Sequence, residues 1–235
     1  MKDAIATIRG SFCLGCRTFH TPMVEQHPNN YRTTFWIMCG IPGTGKSTMA
    51  EILKNAYPPF RSIIISRDET RTDLIYDFSK LDEETRRHHM GMLDDFTSWA
   101  IIKRIRRLIN GTKKEDRYAG IIIDGCHTNY STLLELLLAL NQMGNQVIVN
   151  LVVVGDEESI CCHAINDRKE GDYSDYGPHG HHQALPNVVI ERKRREMHEL
   201  LRHRSKDIFK LVDEIYCIPD AFDRFAAQRR PMEDH

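Results

Sequence analysis

Apolar residues in this chain fall into short unbroken runs, separated by longer segments with helical spacing. Thr34–Cys39 (TFWIMC), Arg61–Ser66 (RSIIIS), Ala119–Asp124 (AGIIID), Gln146–Val154 (QVIVNLVVV) and Glu214–Ile218 (EIYCI) read as strands. Runs without polar alternation suit strands covered on both faces, as in a parallel sheet. Helices are predicted from about Ser47 to Ala56, where Tyr57-Pro58-Pro59 stops the first, over Thr132–Met143, over Asp156–Arg168 with Asp156 as cap, and from about Asn187 to Arg204. Met92, Phe96, Trp99, Ile102, Ile105 and Ile109 recur at three- and four-residue steps. That stripe predicts one long helix after a linker, closed by Asn110-Gly111. Both it and the Leu133–Leu140 run are assigned to the core.

Alternation of strand and helix predicts an α/β fold, with a parallel sheet of about five strands and helices on both faces. Residues 1–33 lack a sustained period and read as an N-terminal extension; 34–220 form the domain and 221–235 a tail. The polar stretch EGDYSDYGPHGHHQ, within about 165–187, reads as a lid loop. No internal repeat is visible.

The 235 residues include 41% hydrophobic ones, enough to bury a core, which excludes a disordered tail or a disulfide-dependent mini-protein. With 32 Lys+Arg against 33 Asp+Glu, the formal charge of −1 gives no global pull toward nucleic acid. No apolar run reaches the length of a membrane span. Seven cysteines, an odd number, fit reduced thiols and point to the cytoplasm. Cys13-x-x-Cys16 with His20 and His27 offers half of a zinc pattern at most, and free thiols are the simpler account. His179, His181 and His182 read as a solvated, pH-responsive loop rather than a metal site.

Gly40-Ile41-Pro42-Gly43-Thr44-Gly45-Lys46-Ser47, with Thr48 following, matches G-x-x-x-x-G-K-[ST] at every fixed position, between a strand and a helix. Glycines let successive backbone N–H groups point inward at a phosphate, and the helix N-terminus adds partial positive charge. Lys46 brings a full charge to the β/γ-phosphates, and Ser47 a hydroxyl for Mg²⁺. The motif therefore predicts an ATP site. Asp124, ending the third strand, sits where a carboxylate can reach that metal, directly or through water; a turn or cap aspartate is the plainer alternative. After the second strand comes Ser66-Arg67-Asp68-Glu69-Thr70-Arg71. Ligands of open parallel sheets bind at the carboxyl ends of strands. Asp68 could then take a proton from an acceptor hydroxyl, and Arg67 and Arg71 could hold an acceptor phosphate. The same residues also make an ordinary helix start with acids in the first turn.

GIPGTGKST, SRDETR and IIIDGCH, each placed after a strand, together resemble the polynucleotide kinase-like branch of P-loop phosphotransferases over about residues 34–220. The resemblance implies a P-loop kinase fold with a lid, Asp68 as general base, Arg71 on the acceptor phosphate, and ATP with Mg²⁺. It also implies a lid arginine. The family's R-N-x-x-R is here Ile165-Asn166-Asp167-Arg168-Lys169, which makes Arg168 the choice and Lys169 its neighbour. The partner phosphatase motif D-x-D-x-[TV] does not occur, so a kinase alone is expected. The implied acceptor is a nucleic acid, most of all the 5′-hydroxyl of DNA or RNA. A hydroxymethylated DNA base, a nucleoside or nucleotide sugar, and a non-catalytic ATP-dependent binding module are the alternatives. Arg192–Arg195 with Arg202, Arg204 and Lys206, and separately Arg104, Arg106 and Arg107, could track a phosphate backbone. Composition alone slightly favours solvated helix faces neutralised by Glu191, Glu196 and Glu199.

Overall fold

The computed structural model describes residues 12–13, 18–19, 32–58, 60–111, 117–144, 147–154 and 187–218. The expected helix over 156–168, the lid loop and the tail lie outside them. Phe12–Cys13 (β1) and Thr18–Phe19 (β2) form a short antiparallel pair. The main body runs β3 (Thr33–Cys39), α1 (Lys46–Asn55), β4 (Ser62–Ser66), α2 (Arg67–Phe78), α3 (Glu83–Gly91), α4 (Leu93–Asn110), β5 (Gly120–Asp124) and α5 (Tyr130–Asn141). It continues with β6 (Val147–Val154), α6 (Asn187–His203), α7 (Ser205–Phe209) and β7 (Glu214–Ile218).

Five strands make one parallel sheet in the order β4-β5-β3-β6-β7. Side chains alternate across β3 and serve two cores. Phe35, Ile37 and Cys39 pack with Ile101, Ile105 and Ile109 of α4, Leu133, Leu137 and Leu140 of α5, and Leu200 of α6. Trp36 and Met38 face the other way, onto Met49, Ala50 and Leu53 of α1. The indole N–H of Trp36 donates to the Tyr57 hydroxyl at 2.7 Å. Burial on both faces explains why these strands are continuously apolar.

Two expectations are corrected. The linker expected before the long helix is largely two helices, α2 and α3. Ser66 Oγ accepts from the Glu69 N–H and Asp82 Oδ1 from the Thr85 N–H, each capping a first turn with two acids in it. Among the residues of α2 only Phe78 is buried, and among those of α3 none, so no apolar period announces either helix. On α4 the core stripe is Leu93, Thr97, Ser98, Ile101, Ile102, Ile105 and Ile109, while Met92 and Trp99 are 41% and 56% exposed. The hydroxyls of Thr97 and Ser98 donate to the carbonyls of Leu93 and Asp94, four residues back. Bonded within the helix, they can be buried where a hydrophobic pattern expects none. Leu138 likewise leaves the core at 46% exposure.

Candidate phosphate-loop site

The loop Gly40–Gly45 leaves β3 where β5 and β6 end on either side. Its first residue is tied to the turn after β5 by a Gly40 N–H to Cys126 carbonyl bond of 2.9 Å. A Cβ on Gly40 would lie 2.3 Å from the Val154 carbonyl oxygen, so no larger residue fits there unless the backbone moves. Gly43 and Gly45 have φ of 90° and 85°, the left-handed conformation that turns the chain back into α1. No side chain caps α1 at Gly45. Its first-turn N–H groups are left to an anion.

Within the loop, Thr44 Oγ1 donates to the Ile41 carbonyl at 3.0 Å and Lys46 Nζ to the same oxygen at 2.6 Å. Lys46 is only 8% exposed. Its charge is held against the loop backbone, one side-chain swing from a phosphate. Ser47 and Thr48 are exposed on the first turn of α1. Asp124, half-buried, ends β5 in register with Ser66, the residue before α2. A hydroxyl and a carboxylate are hard oxygen donors, the set that holds Mg²⁺ together with nucleotide phosphates and water. Among the described residues no cluster of three or more His, Cys, Asp or Glu is placed to bind a metal.

Asp68 and Arg71 lie exposed on the first turns of α2. Arg67 is committed to α4: Nη1 donates to Ser98 Oγ at 3.1 Å and Nη2 to the Asp94 carbonyl at 3.3 Å, with Asp94 Oδ1 3.7 Å away. The same Asp94 carboxylate is 3.9 Å from Arg71. Asp94 therefore joins the two predicted acceptor arginines. It was missed because its only signal is an acidic pair, Asp94-Asp95, opening an apolar helix.

His127 was missed as well. It is buried at φ 43°, a conformation uncommon outside glycine, and neither ring nitrogen has a hydrogen-bond partner among the described residues. Burial, then the charges of Arg67, Lys46 and Lys193, push its pKa down to about 3, so it is neutral at pH 7. Its carbonyl accepts from the Cys39 thiol at 3.4 Å.

A third missed group lies on α6, which docks on the loop through Ile190 against Ile41. Glu196 accepts from Thr128 Oγ1 at 2.8 Å and from Lys193 Nζ at 2.7 Å. Burial works to raise its pKa, yet hydrogen bonds from Lys193 and Thr128 hold it below the usual value. Most of the basic run here is paired locally: Arg192 and Lys193 with Glu196, Arg194 with Glu191, and Arg204, just past the helix, with Glu199, while Arg195 is exposed with no ion pair among the described residues. Arg168, Lys169, Cys16 and the histidines at 20, 27, 179, 181 and 182 lie outside the described residues, and for Cys13 only its place in β1 is given.

A central parallel strand feeding a glycine-rich loop into a helix N-terminus, with a carboxylate closing the next strand, defines a P-loop kinase-like protein. Within that class the chain belongs to the Zeta toxin family, whose family model matches residues 23–210. A search of curated proteins found no match. One similar solved chain belongs to the PezAT chromosomal toxin–antitoxin system of the human pathogen Streptococcus pneumoniae. It is 12% identical, with a TM-score of 0.50 over 82% of this chain and 69% of that one. A chain of the Pnkp1/Rnl/Hen1 RNA repair complex is 16% identical, with a TM-score of 0.48 over 81% of this chain and 49% of that one. At these identities the PezAT likeness shows the shared fold.

Proposed function

We propose that this chain is an ATP-dependent phosphotransferase that moves the γ-phosphoryl group onto a hydroxyl of its acceptor. One observation carries the reading. β4, β5 and β3 are parallel neighbours, so Asp68 at the start of α2, Asp124 at the end of β5 and the loop after β3 that leads to Lys46 all follow from the carboxyl ends of adjacent strands.

On this reading Lys46 leaves the Ile41 carbonyl and meets the β/γ-phosphates, while the uncapped first turn of α1 holds phosphate oxygens. Ser47 and Asp124 would hold Mg²⁺, the latter through water, and the ion would neutralise phosphate charge. Asp68 accepts the proton of the acceptor hydroxyl, whose oxygen forms a bond to the γ-phosphorus as the bond to the β–γ bridging oxygen breaks and ADP departs. Arg71, half exposed, grips the acceptor's phosphate, and Arg67 fixes α2 to α4. Arg168 is the lid cation that the kinase resemblance assigns, with Lys169 beside it.

The acceptor proposed from that resemblance is the 5′-hydroxyl end of DNA or RNA. A soluble acceptor, such as a nucleoside or nucleotide sugar, is the second reading. It is favoured by α6, where Arg192, Lys193 and Arg194 are paired to carboxylates of their own helix, leaving only Arg195 of that run open to a polynucleotide. Labelled ATP incubated with 5′-hydroxyl oligonucleotides, hydroxymethyl-base DNA, nucleosides and nucleotide sugars separates the two. Label on oligonucleotide ends supports the first, and label on small molecules alone replaces it with the second. Label on no hydroxyl acceptor, with ATP bound, overturns the phosphotransferase reading in favour of a nucleotide-dependent binding module.

Among the described residues no helix is long and apolar enough to cross a membrane.

A further inference from the structure

The last three turns of α4 carry a feature that the phosphate-transfer chemistry does not use. An open cleft of about 490 Å³ is lined by Trp99, Ile102, Lys103, Arg106, Arg107 and Asn110, with no carboxylate among its lining residues. Trp99 is 56% exposed, although the Lys103 ammonium lies 4.3 Å from its ring centroid. Lys103, Arg104, Arg106 and Arg107 are all exposed, and none is within ion-pair distance of a carboxylate among the described residues. Arg106 donates only to a neutral group, Gln142 Oε1, at 3.3 Å.

The contrast with α6 gives this its force. There Arg192, Lys193 and Arg194, and Arg204 just past the helix, each have a carboxylate within 4 Å, and of the run Arg192–Arg195 only Arg195 has none among the described residues. Here four cations within five residues have none. An exposed tryptophan is a stacking platform, and open cations around it attract anions. An acidic peptide would satisfy the charge but brings a flat ring only where it happens to carry an aromatic side chain. A nucleotide strand supplies both, with a base for the ring and phosphates at intervals for the cations. The helix from Trp99 to Arg107 spans about 12 Å, which accommodates a short run of nucleotides.

We propose that this cleft binds single-stranded nucleic acid, with a base stacked on Trp99 and phosphates on Lys103, Arg106 and Arg107. The site stands apart from the phosphate loop and does not depend on which acceptor the loop serves.

Tryptophan fluorescence provides the test, because the other tryptophan, Trp36, is 2% exposed and inside the core. Titrating the full chain with 12-mers of dT and rU should quench the emission. Read by the anisotropy of a dye-labelled oligomer, since these variants lack the reporting indole, Trp99→Ala should weaken binding about tenfold or more, and Trp99→Phe should keep most of the affinity. Changing Lys103, Arg106 and Arg107 together to Gln should flatten the dependence of log K on log[salt] by roughly 2. Lys46→Ala, which disables the phosphate loop, should bind the oligomers as the parent does, so failure of the kinase reading and failure of this one are distinguishable. The proposal is overturned by unchanged fluorescence, by Trp99→Ala binding as tightly as the parent, or by poly-glutamate binding as tightly as the oligomers.

Discussion

The two sides of the site are built differently. On the donor side the phosphate loop is held by backbone and core. Gly40 is wedged under the Val154 carbonyl and bonded to Cys126, Ile41 sits beneath Ile190 of α6, and Lys46 is buried against the loop. On the proposed acceptor side Asp68 and Arg71 stand in solvent on a helix whose only buried residue is Phe78, positioned through an ion-paired neighbour on α4. Nucleotide phosphates are the same whatever the acceptor, so the donor side can be rigid. The acceptor side is where one fold accommodates different substrates by changing a few exposed groups.

The largest effects should separate the sides by kind. Lys46→Ala should abolish transfer and weaken ATP binding. Asp68→Asn should cut transfer by about 10²–10⁴ with ATP affinity intact, measured by single-turnover kinetics beside calorimetric titration. Next, Gly40→Ala should destabilise the fold by about 1–3 kcal/mol in urea denaturation, because the added methyl overlaps a backbone oxygen. The same Ala substitution at Gly91, whose added Cβ meets nothing within 4 Å, should not destabilise. If the two cost the same, the rigid-donor side of the contrast is broken.

His127 gives the donor side a pH signature. Its folded pKa is depressed to about 3 from an ordinary value of 6.5, so between those limits the unfolded chain binds a proton that the folded chain does not. Stability should fall as the pH drops through that window, by up to about 1.4 kcal/mol per unit from this group. His127→Gln should remove that share of the slope, checked by denaturant midpoints from pH 7 to 4.

The acceptor side should respond more gently. Asp94→Ala frees Arg67 and Arg71 together. It should raise KM for the acceptor severalfold with a smaller change in kcat, and cost at most about 1 kcal/mol of stability, since the ion pairs are at least partly exposed. Smallest of all, Glu191→Gln on α6 should shift stability by less than about 0.5 kcal/mol, because its partner Arg194 makes an ordinary three-residue helix pair.

What the sequence disclosed follows the same division. The five strands, the loop at Gly40–Ser47 and Asp124 at a strand end were legible, because each depends on local pattern: unbroken β-branched runs, glycine spacing, a charge ending an apolar strand. α2 and α3 were less so, since their stability comes from caps and contacts rather than an apolar stripe. The stripe of α4 was misread by one position at its start. Thr97 and Ser98 hide their hydroxyls in the helix, and Trp99, expected inside, faces water. Asp94, His127 and the Thr128–Glu196 pair act through partners 23 to 88 positions away in the chain, a relation no single-sequence pattern records. The basic runs looked alike in sequence. What told them apart was the carboxylates beside Arg192, Lys193 and Arg194 on α6, against none within ion-pair distance of Lys103, Arg104, Arg106 and Arg107 among the described residues.

The central claim is that a carboxylate on α2 removes a proton from an alcohol facing nucleotide held at the loop. Its most direct test compares parent and Asp68→Asn in single-turnover transfer from γ-labelled ATP, with ATP affinity measured on both. The account predicts equal ATP affinity and a transfer rate at least about a hundredfold lower in the variant. Transfer at the parent rate by Asp68→Asn would contradict it.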